Sequence, residues 1–344
     1  MARIGIDARY ASGAGKGIAR SQRLLVESLA ALGRHEIVAF VGEGGAGAFP
    51  GVDARVERIR EPIALLWEQV GMPRAARRFE LDAFVTLADR LPVVGTTPYI
   101  VWLFELPTHR MATTSGVWNR GSDVFTAALW KPSMRRAAAI ATGSKATAGE
   151  LEEAVPQLRG RVRAVYPGLA GDFAPGPGLD QPRYVFHLGS TDPRDNTETV
   201  VEAFRRAGVE ARLVVGGELG GRTFDGAETT GRLSDEDLAA RYRGAAAYLD
   251  ATLYEGFGYQ PLEAMASGTP VIASNASSIP EVVGDAGLLC DPRSPDELAA
   301  ALVRVLEEPG LAESMRAKGL ARAAEFSWER TAREFADLID EVLA

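Results

Sequence analysis

The stretch Tyr254-Glu255-Gly256-Phe257-Gly258-Tyr259-Gln260-Pro261-Leu262-Glu263-Ala264-Met265-Ala266-Ser267-Gly268-Thr269-Pro270 is the most informative in the sequence. The apolar run at 246–250 before it reads as a buried strand. Two glycines straddle Phe257, which lets the loop backbone lie against a ligand. Pro261 is expected to open a short helix over 261–267, ended by Gly268. The free N–H groups of that helix point back at the loop and favour an anion. Glu255 falls in the loop and Glu263 in the first helical turn. Carboxylates repel phosphate, so their natural partners are hydroxyls. Amides for phosphate beside carboxylates for hydroxyls suit a sugar nucleotide. The simpler alternatives are helix capping for Glu263 and a solvated loop acid for Glu255.

Outward from this stretch, strands and helices alternate. Strands are expected at 184–188, 212–215 and 270–274, with helices at 196–207 and 235–242. Upstream, strands are expected at 2–8, 36–41, 83–87, 99–103 and 138–142. A helix at 18–32 is closed by Gly33. Such alternation predicts an α/β fold of parallel sheets flanked by helices. Between Gly171 and Pro182, three prolines and three glycines fall in twelve residues. This is the expected linker. The division is then 1–172, 173–326 and a last helix at 327–344. Ser294, followed by Pro295 and Glu297, and Ser327 are expected helix caps.

Composition narrows the function classes. A chain of 344 residues predicts two domains. With 46% hydrophobic and 24% charged residues it is an ordinary globular chain, not a disordered one. Cys290 is the only cysteine, which excludes a disulfide scaffold and a cysteine-rich zinc site. His35, His109 and His187 leave little for a histidine-based one, so no metal is expected. No apolar run reaches the length of a spanning helix. The N-terminus reads as a strand and not a signal peptide, so a cytoplasmic location is expected.

The net charge is −8. Residues 1–172 hold 22 Lys+Arg against 17 Asp+Glu, net +5, and residues 173–344 hold 16 against 29, net −13. The acidic half argues against nucleic acid as a partner. The basic half includes Leu65-Leu66-Trp67 followed by Arg74, Arg77 and Arg78. This stretch suits either peripheral membrane contact or, more simply, a core-facing helix with a solvated basic side. Near the N-terminus, Ser12-Gly13-Ala14-Gly15-Lys16-Gly17 links a strand to a helix. Its glycines let backbone amides approach a phosphate. It is not a P-loop, because Tyr10 and Gly17 stand where Gly and Ser/Thr are required, and Ile18 breaks G-x-G-x-x-G. A plain flexible turn reads equally well.

Glu-x7-Glu within 255–274 resembles the signature of family 4 retaining glycosyltransferases, also called glycosyl transferases group 1. Ser278-Ile279-Pro280-Glu281-Val282-Val283-Gly284-Asp285-Ala286-Gly287 and Gly231-Arg232-Leu233-Ser234-Asp235 are similar to flanking blocks of the same family. Tyr166-Pro167-Gly168 with Phe173 and Pro175 resembles its interdomain junction. The resemblance is dense from 160 to 330 and thinner from 2 to 33. It implies a GT-B fold of two facing Rossmann-like domains with the active site in the cleft between them. It also implies a C-terminal domain that holds a nucleoside-diphosphate sugar and a last helix that crosses back. Glu255 would then contact the donor sugar and Glu263 the ribose. Gly256, Phe257, Gly258 and Tyr259 would hold sugar and diphosphate, with Ser190 and Arg232 also on the donor. Gly15 and Gly17 would approach the diphosphate. The implied reaction moves a hexosyl unit to an acceptor hydroxyl without a metal, the nucleotide sugar being a co-substrate and no cofactor being needed. The acceptor, whether glycan, lipid carrier or small molecule, is not specified.

The match departs from the family at two places. In Gly189-Ser190-Thr191-Asp192-Pro193-Arg194-Asp195-Asn196, Ser190 stands where Arg is common and Asp195 where Lys is. Arg194 is the surviving cation and the expected catalytic partner of Glu255. Phe104-Glu105 stands where many members have His-Asp, leaving Glu105 and nearby His109 as acceptor-side candidates. His35 and His187 read as structural. Besides an active transferase, these departures leave open a binding protein without transfer and a sugar-nucleotide epimerase on a related scaffold.

Overall fold

The chain starts with β1 (Arg3–Ala8), whose residues from Ile4 onward are all buried. A strand so dry needs a sheet covered on both faces. This is the arrangement in the computed structural model, which describes residues 1–11, 17–43, 45–61, 63–109, 120–179 and 181–344. The chain forms two units, Met1–Gly168 with Ser327–Ala344, and Leu169–Phe326.

In the first unit β1 is followed by α1 (Ile18–Leu32), β2 (Glu36–Val41) and β3 (Arg55–Arg58). A helical turn at Ala64–Leu66 and a π-helical stretch, Trp67–Gly71, lead into α2 (Met72–Arg78). Then come β4 (Ala83–Thr86), β5 (Tyr99–Leu103), α3 (Arg120–Arg136), β6 (Ala139–Thr142), α4 (Lys145–Ala154) and β7 (Val162–Ala164). The sheet runs β3-β2-β1-β4-β5-β6-β7 with every pairing parallel. Side chains alternate across it. Ile100 and Trp102 face one core layer, while Tyr99, Val101 and Leu103 face the other.

The second unit holds β8 (Tyr184–Leu188), α5 (Thr197–Ala207), β9 (Arg212–Gly216), β10 (Ala227–Gly231) and α6 (Asp235–Gly244). It continues with β11 (Ala247–Leu249), α7 (Tyr259–Ala266), β12 (Val271–Ser274), α8 (Ile279–Val283), β13 (Leu288–Cys290), α9 (Pro295–Glu307) and α10 (Leu311–Ala323). Its parallel sheet, β10-β9-β8-β11-β12-β13, repeats the winding of the first. One face carries Val185, Leu213, Val215 and Leu249. On the other, Tyr242 meets Phe186 and Tyr248 edge-on, each 5.4 Å between ring centres.

The helix α11 (Trp328–Leu343) belongs to the first unit. Its buried Phe335 packs 4.9 Å from Trp102, and Thr331 donates to the Tyr166 carbonyl at 2.7 Å. The caps Ser294 and Ser327 form as expected, accepting from the N–H groups of Glu297 and Arg330. Each contributes about 1 kcal/mol.

Three expectations need correction. The passage between units falls at Gly168–Leu169, not at 172. The Gly/Pro-rich stretch is no free linker but is strapped to the second unit. Arg243 donates to the carbonyls of Asp172 and Ala174, and a Cβ on Gly178 would lie 2.5 Å from Gly244. Its glycines thus serve close backbone approach. The helix expected from Pro261 begins at Tyr259. Pro261 is harmless there, because the first turn of a helix leaves its N–H groups unpaired anyway. No helix among the described residues is long and apolar enough to cross a membrane.

Candidate active site

In both sheets the winding reverses beside the first strand, between β1 and β4 and between β8 and β11. Ligands of open α/β sheets bind outside the strand ends at such a point. In the second unit three loops meet there. Leu253 donates its N–H to the Arg194 carbonyl at 2.8 Å. The Asn196 amide donates to the carbonyls of Ala251 and Pro292 at 3.0 and 2.8 Å. Asn196 thus ties together the loops after β8, β11 and β13, from a left-handed backbone (φ 54).

The β8 loop also needs its glycines. A Cβ on Gly189 would sit 2.6 Å from Thr197 Oγ1, and one on Gly217 would sit 1.9 Å from the Gly189 carbonyl oxygen. Arg194 folds back on Asp192, with Nη2 at 2.7 Å and Nε at 3.0 and 3.1 Å from its carboxylate. Its guanidinium lies 5.9 Å from the centre of the Tyr254 ring. Burial pushes the Asp192 carboxyl up, but the bonds and charge of Arg194 outweigh it and hold the group below its ordinary range. Asp195 is raised instead, by burial and then by the nearby Asp192, against a bond from Ser190. Ser190 also accepts from the Asp192 N–H at 3.0 Å.

The central motif lies on the loop after β11 and on α7. Gly258 caps α7 with φ 107, a conformation that other residues resist. No side chain caps this helix, so its first-turn N–H groups face the loop. The Glu255 carbonyl accepts from both Ser277 and Ser278 hydroxyls at 2.7 Å, which fixes the loop from the far side. The Phe257 ring is 2% exposed and packs against Tyr259 and Phe326. What Phe257 can offer a ligand is therefore its backbone. Glu263 is 6% exposed. Burial, followed by the charge of Glu263, keeps the Tyr242 phenol neutral well above its usual range. Arg232 is exposed and lies 3.9 Å from Glu218. Arg222 donates to Glu198 in the first turn of α5.

Two further buried groups lie at this switch point, and of these only Asp250 was not singled out from the sequence. Asp250, buried directly after β11, accepts from the N–H and hydroxyl of Thr252 at 3.0 and 2.6 Å. Burial pushes its carboxyl up to about 6. His187 bonds the Leu249 carbonyl through Nδ1 at 2.9 Å, so Nδ1 carries the proton and Nε2 accepts from Thr197. Burial lowers it to about 4, leaving it neutral and structural, as expected.

In the first unit Gly17 caps α1 at φ 80, while Gly15 lies outside the described residues, as does Lys16. Glu105 follows β5 and is half-buried. His109 pairs through Nε2 with Glu150 of α4 at 3.2 Å. At the β1/β4 switch point Arg9 is clamped by Asp7 at 2.7 Å and Glu68 at 3.2 Å, and Arg90 reaches Glu68 at 2.8 Å. Burial opposes the Arg9 charge, but Asp7 and Glu68 prevail and hold it protonated. The only sequence signal for this cluster is Asp7 and Arg9 at the end of an apolar strand.

The family model for glycosyl transferases group 1 matches residues 173–322. That segment is a glycosyl transferases group 1 domain. O-antigen chain mannosyltransferase B of Escherichia coli is 36% identical over 162 residues, 42% of this chain and 42% of that protein. The chain thus spans less than half the length of this curated relative in the match. Several solved structures cover 99% of this chain, two of them as follows. Sucrose-phosphate synthase from Thermosynechococcus elongatus superposes over 99% of its length with a TM-score of 0.75 at 20% identity. HepE from Anabaena in complex with UDP-glucose superposes over 100% of its length with a TM-score of 0.73 at 16% identity. The group 1 domain therefore sits in a chain with the GT-B fold of two Rossmann-like domains.

Proposed function

We propose that this chain is a glycosyltransferase that moves a hexosyl unit from a nucleoside-diphosphate sugar to an acceptor hydroxyl, with retention, without a metal and in the cytoplasm. Mannose is the first sugar to test, since a relative of the group 1 domain is named a mannosyltransferase. HepE, a neighbour in fold, carries UDP-glucose, which makes the glucosyl donor the second. The observation that carries the reading is the uncapped start of α7, opened by Gly258 and flanked by Glu255 and Glu263. Amides at that helix end favour the diphosphate, while the two carboxylates suit sugar and ribose hydroxyls.

In this mechanism Glu255 positions the donor sugar and Glu263 the ribose. The helix end, together with Arg194, stabilises the charge that develops on the departing diphosphate. The leaving phosphate takes the acceptor proton, so no strong protein base is required. Glu105 and His109 belong to the acceptor side of the proposal, and Ser190, Arg232 and Gly17 to the donor side. The test is release of nucleotide from GDP-mannose and UDP-glucose in the presence of mannosides, with the anomeric configuration of the product read by NMR. Inversion at the anomeric carbon would contradict retention.

One observation favours a second reading, a binding protein without transfer. Arg194 already shares its charge with Asp192, and Asp195 occupies the place of a family cation. Under that reading, nucleotide binds but no nucleotide is released with any acceptor.

A further inference from the structure

We propose that a groove beside β3 and α2 in the first unit binds a small phosphate-bearing molecule. The groove has a volume of about 890 Å³. That is room for a sugar-sized ring with a phosphate and more than a bare anion needs. Its apolar wall includes Trp67 of the π-helical stretch, and four arginines line it: Arg58, Arg60, Arg74 and Arg78.

These cations are unequally engaged. Arg58 pairs with Glu43 at 3.1 Å, and Arg78 lies over the Phe79 ring. Among the described residues, the guanidinium groups of Arg60 and Arg74 have no ion pair or hydrogen bond, and both residues are exposed. The acids on the groove do not cancel them. Glu57 pairs with Arg55 at 2.9 Å; Glu61 accepts from the Arg60 backbone N–H at 3.2 Å, a bond that leaves its charge in place, but the four arginines outnumber the two acids on the groove. Two guanidinium forks on one groove match the oxygens of a phosphate.

A second, independent feature lies in the wall. Trp67 is 3% exposed, yet its indole N–H has no acceptor in the protein. A buried donor left without a partner costs about 1–3 kcal/mol. This nitrogen is closed off from water, so a ligand oxygen meets it only where the Trp67 ring turns towards the groove. Gly71 keeps the wall in this form, because a Cβ there would lie 2.3 Å from the Trp67 ring and 2.8 Å from the Glu61 carboxyl. None of these residues is among those assigned to the donor, so the proposal stands apart from the transferase reading.

The test is calorimetric titration of the full chain with glucose 1-phosphate and with inorganic phosphate. Binding to phosphatidylglycerol vesicles is measured in parallel. Glucose 1-phosphate is expected to bind more tightly than inorganic phosphate and to weaken as salt is raised. Affinity should fall at least about tenfold in the Arg60→Ala/Arg74→Ala double variant and fall measurably in Trp67→Phe. It should persist in Glu263→Gln, which separates this groove from the donor residues. No binding of either phosphate overturns the proposal, as does an affinity unchanged in the double variant or lost in Glu263→Gln. Vesicle binding without binding of the free phosphates also overturns it, by making the basic face a lipid contact.

Discussion

At the scale of single residues, the candidate chemistry rests on Glu255 and on the glycine that shapes its loop. Glu255 is expected to act mainly in the transition state. Glu255→Ala should lower kcat/KM at least about 100-fold, on the order of 2.7 kcal/mol, with nucleotide affinity little changed. Steady-state kinetics beside a nucleotide titration checks this, and a near-normal rate would remove Glu255 from the mechanism. Gly258→Ala should be harmful for a different reason. It forces a side chain onto φ 107 and places a Cβ 2.8 Å from Ile279 Cδ1. A cost of about 1–3 kcal/mol is expected, seen as a lower melting temperature together with weaker nucleotide binding. Both positions were legible in the sequence, because closely spaced glycines and a Glu-x7-Glu pattern are local. The clamp of Asp192 on Arg194 was not read there. It arises from the short turn at Pro193–Asp195, where the backbone N–H and the guanidinium of Arg194 both return to the same carboxylate.

At the scale of elements, the buried strands were the easy part. Runs such as those of β1, β5 and β8 are apolar because both faces of each sheet are covered. The four strands without such a signal, β3, β7, β10 and β13, are the edges of the two sheets. An edge strand buries less, so Arg55-Val56-Glu57-Arg58 pairs with β2 without an apolar pattern to announce it. The strand ends carry the pH dependence. Folded Asp250 keeps its proton up to about pH 6, against 3.8 for the ordinary carboxyl. Between these values the folded state binds more protons, so the contribution of Asp250 to stability falls as pH rises through the window. Asp250→Asn should therefore raise stability at pH 8 by an amount on the order of 3 kcal/mol, seen as a higher melting temperature, and the gain should shrink towards pH 4. His187 has the opposite sign. Its folded value of about 4 lies below the ordinary 6.5, so its contribution is lost as pH falls through that range. A variant Asp250→Asn less stable than the parent at pH 8 would contradict this assignment.

At the scale of the whole molecule, the chain leaves the first unit at Gly168 and returns to it at Ser327. The first unit is therefore incomplete without the last helix, whose Phe335, Leu338 and Ile339 belong to its core. Phe335→Ala should cost about 3–5 kcal/mol. Hydrogen exchange should quicken across 1–168 and 327–344 and stay unchanged across 169–326. Faster exchange confined to the second unit would contradict the division. Two similar α/β halves were legible from alternating runs, but the passage between them was misplaced, because a strap rich in glycine and proline looks like a linker until its packing on Arg243 and Gly244 is seen. The central claim is that the second unit binds a nucleoside-diphosphate sugar at the start of α7. Calorimetric titration of the chain with GDP-mannose and UDP-glucose tests it most directly. Micromolar binding of one of them, lost in Glu263→Gln, is the predicted result. Binding of neither, or binding that survives Glu263→Gln unchanged, would contradict it.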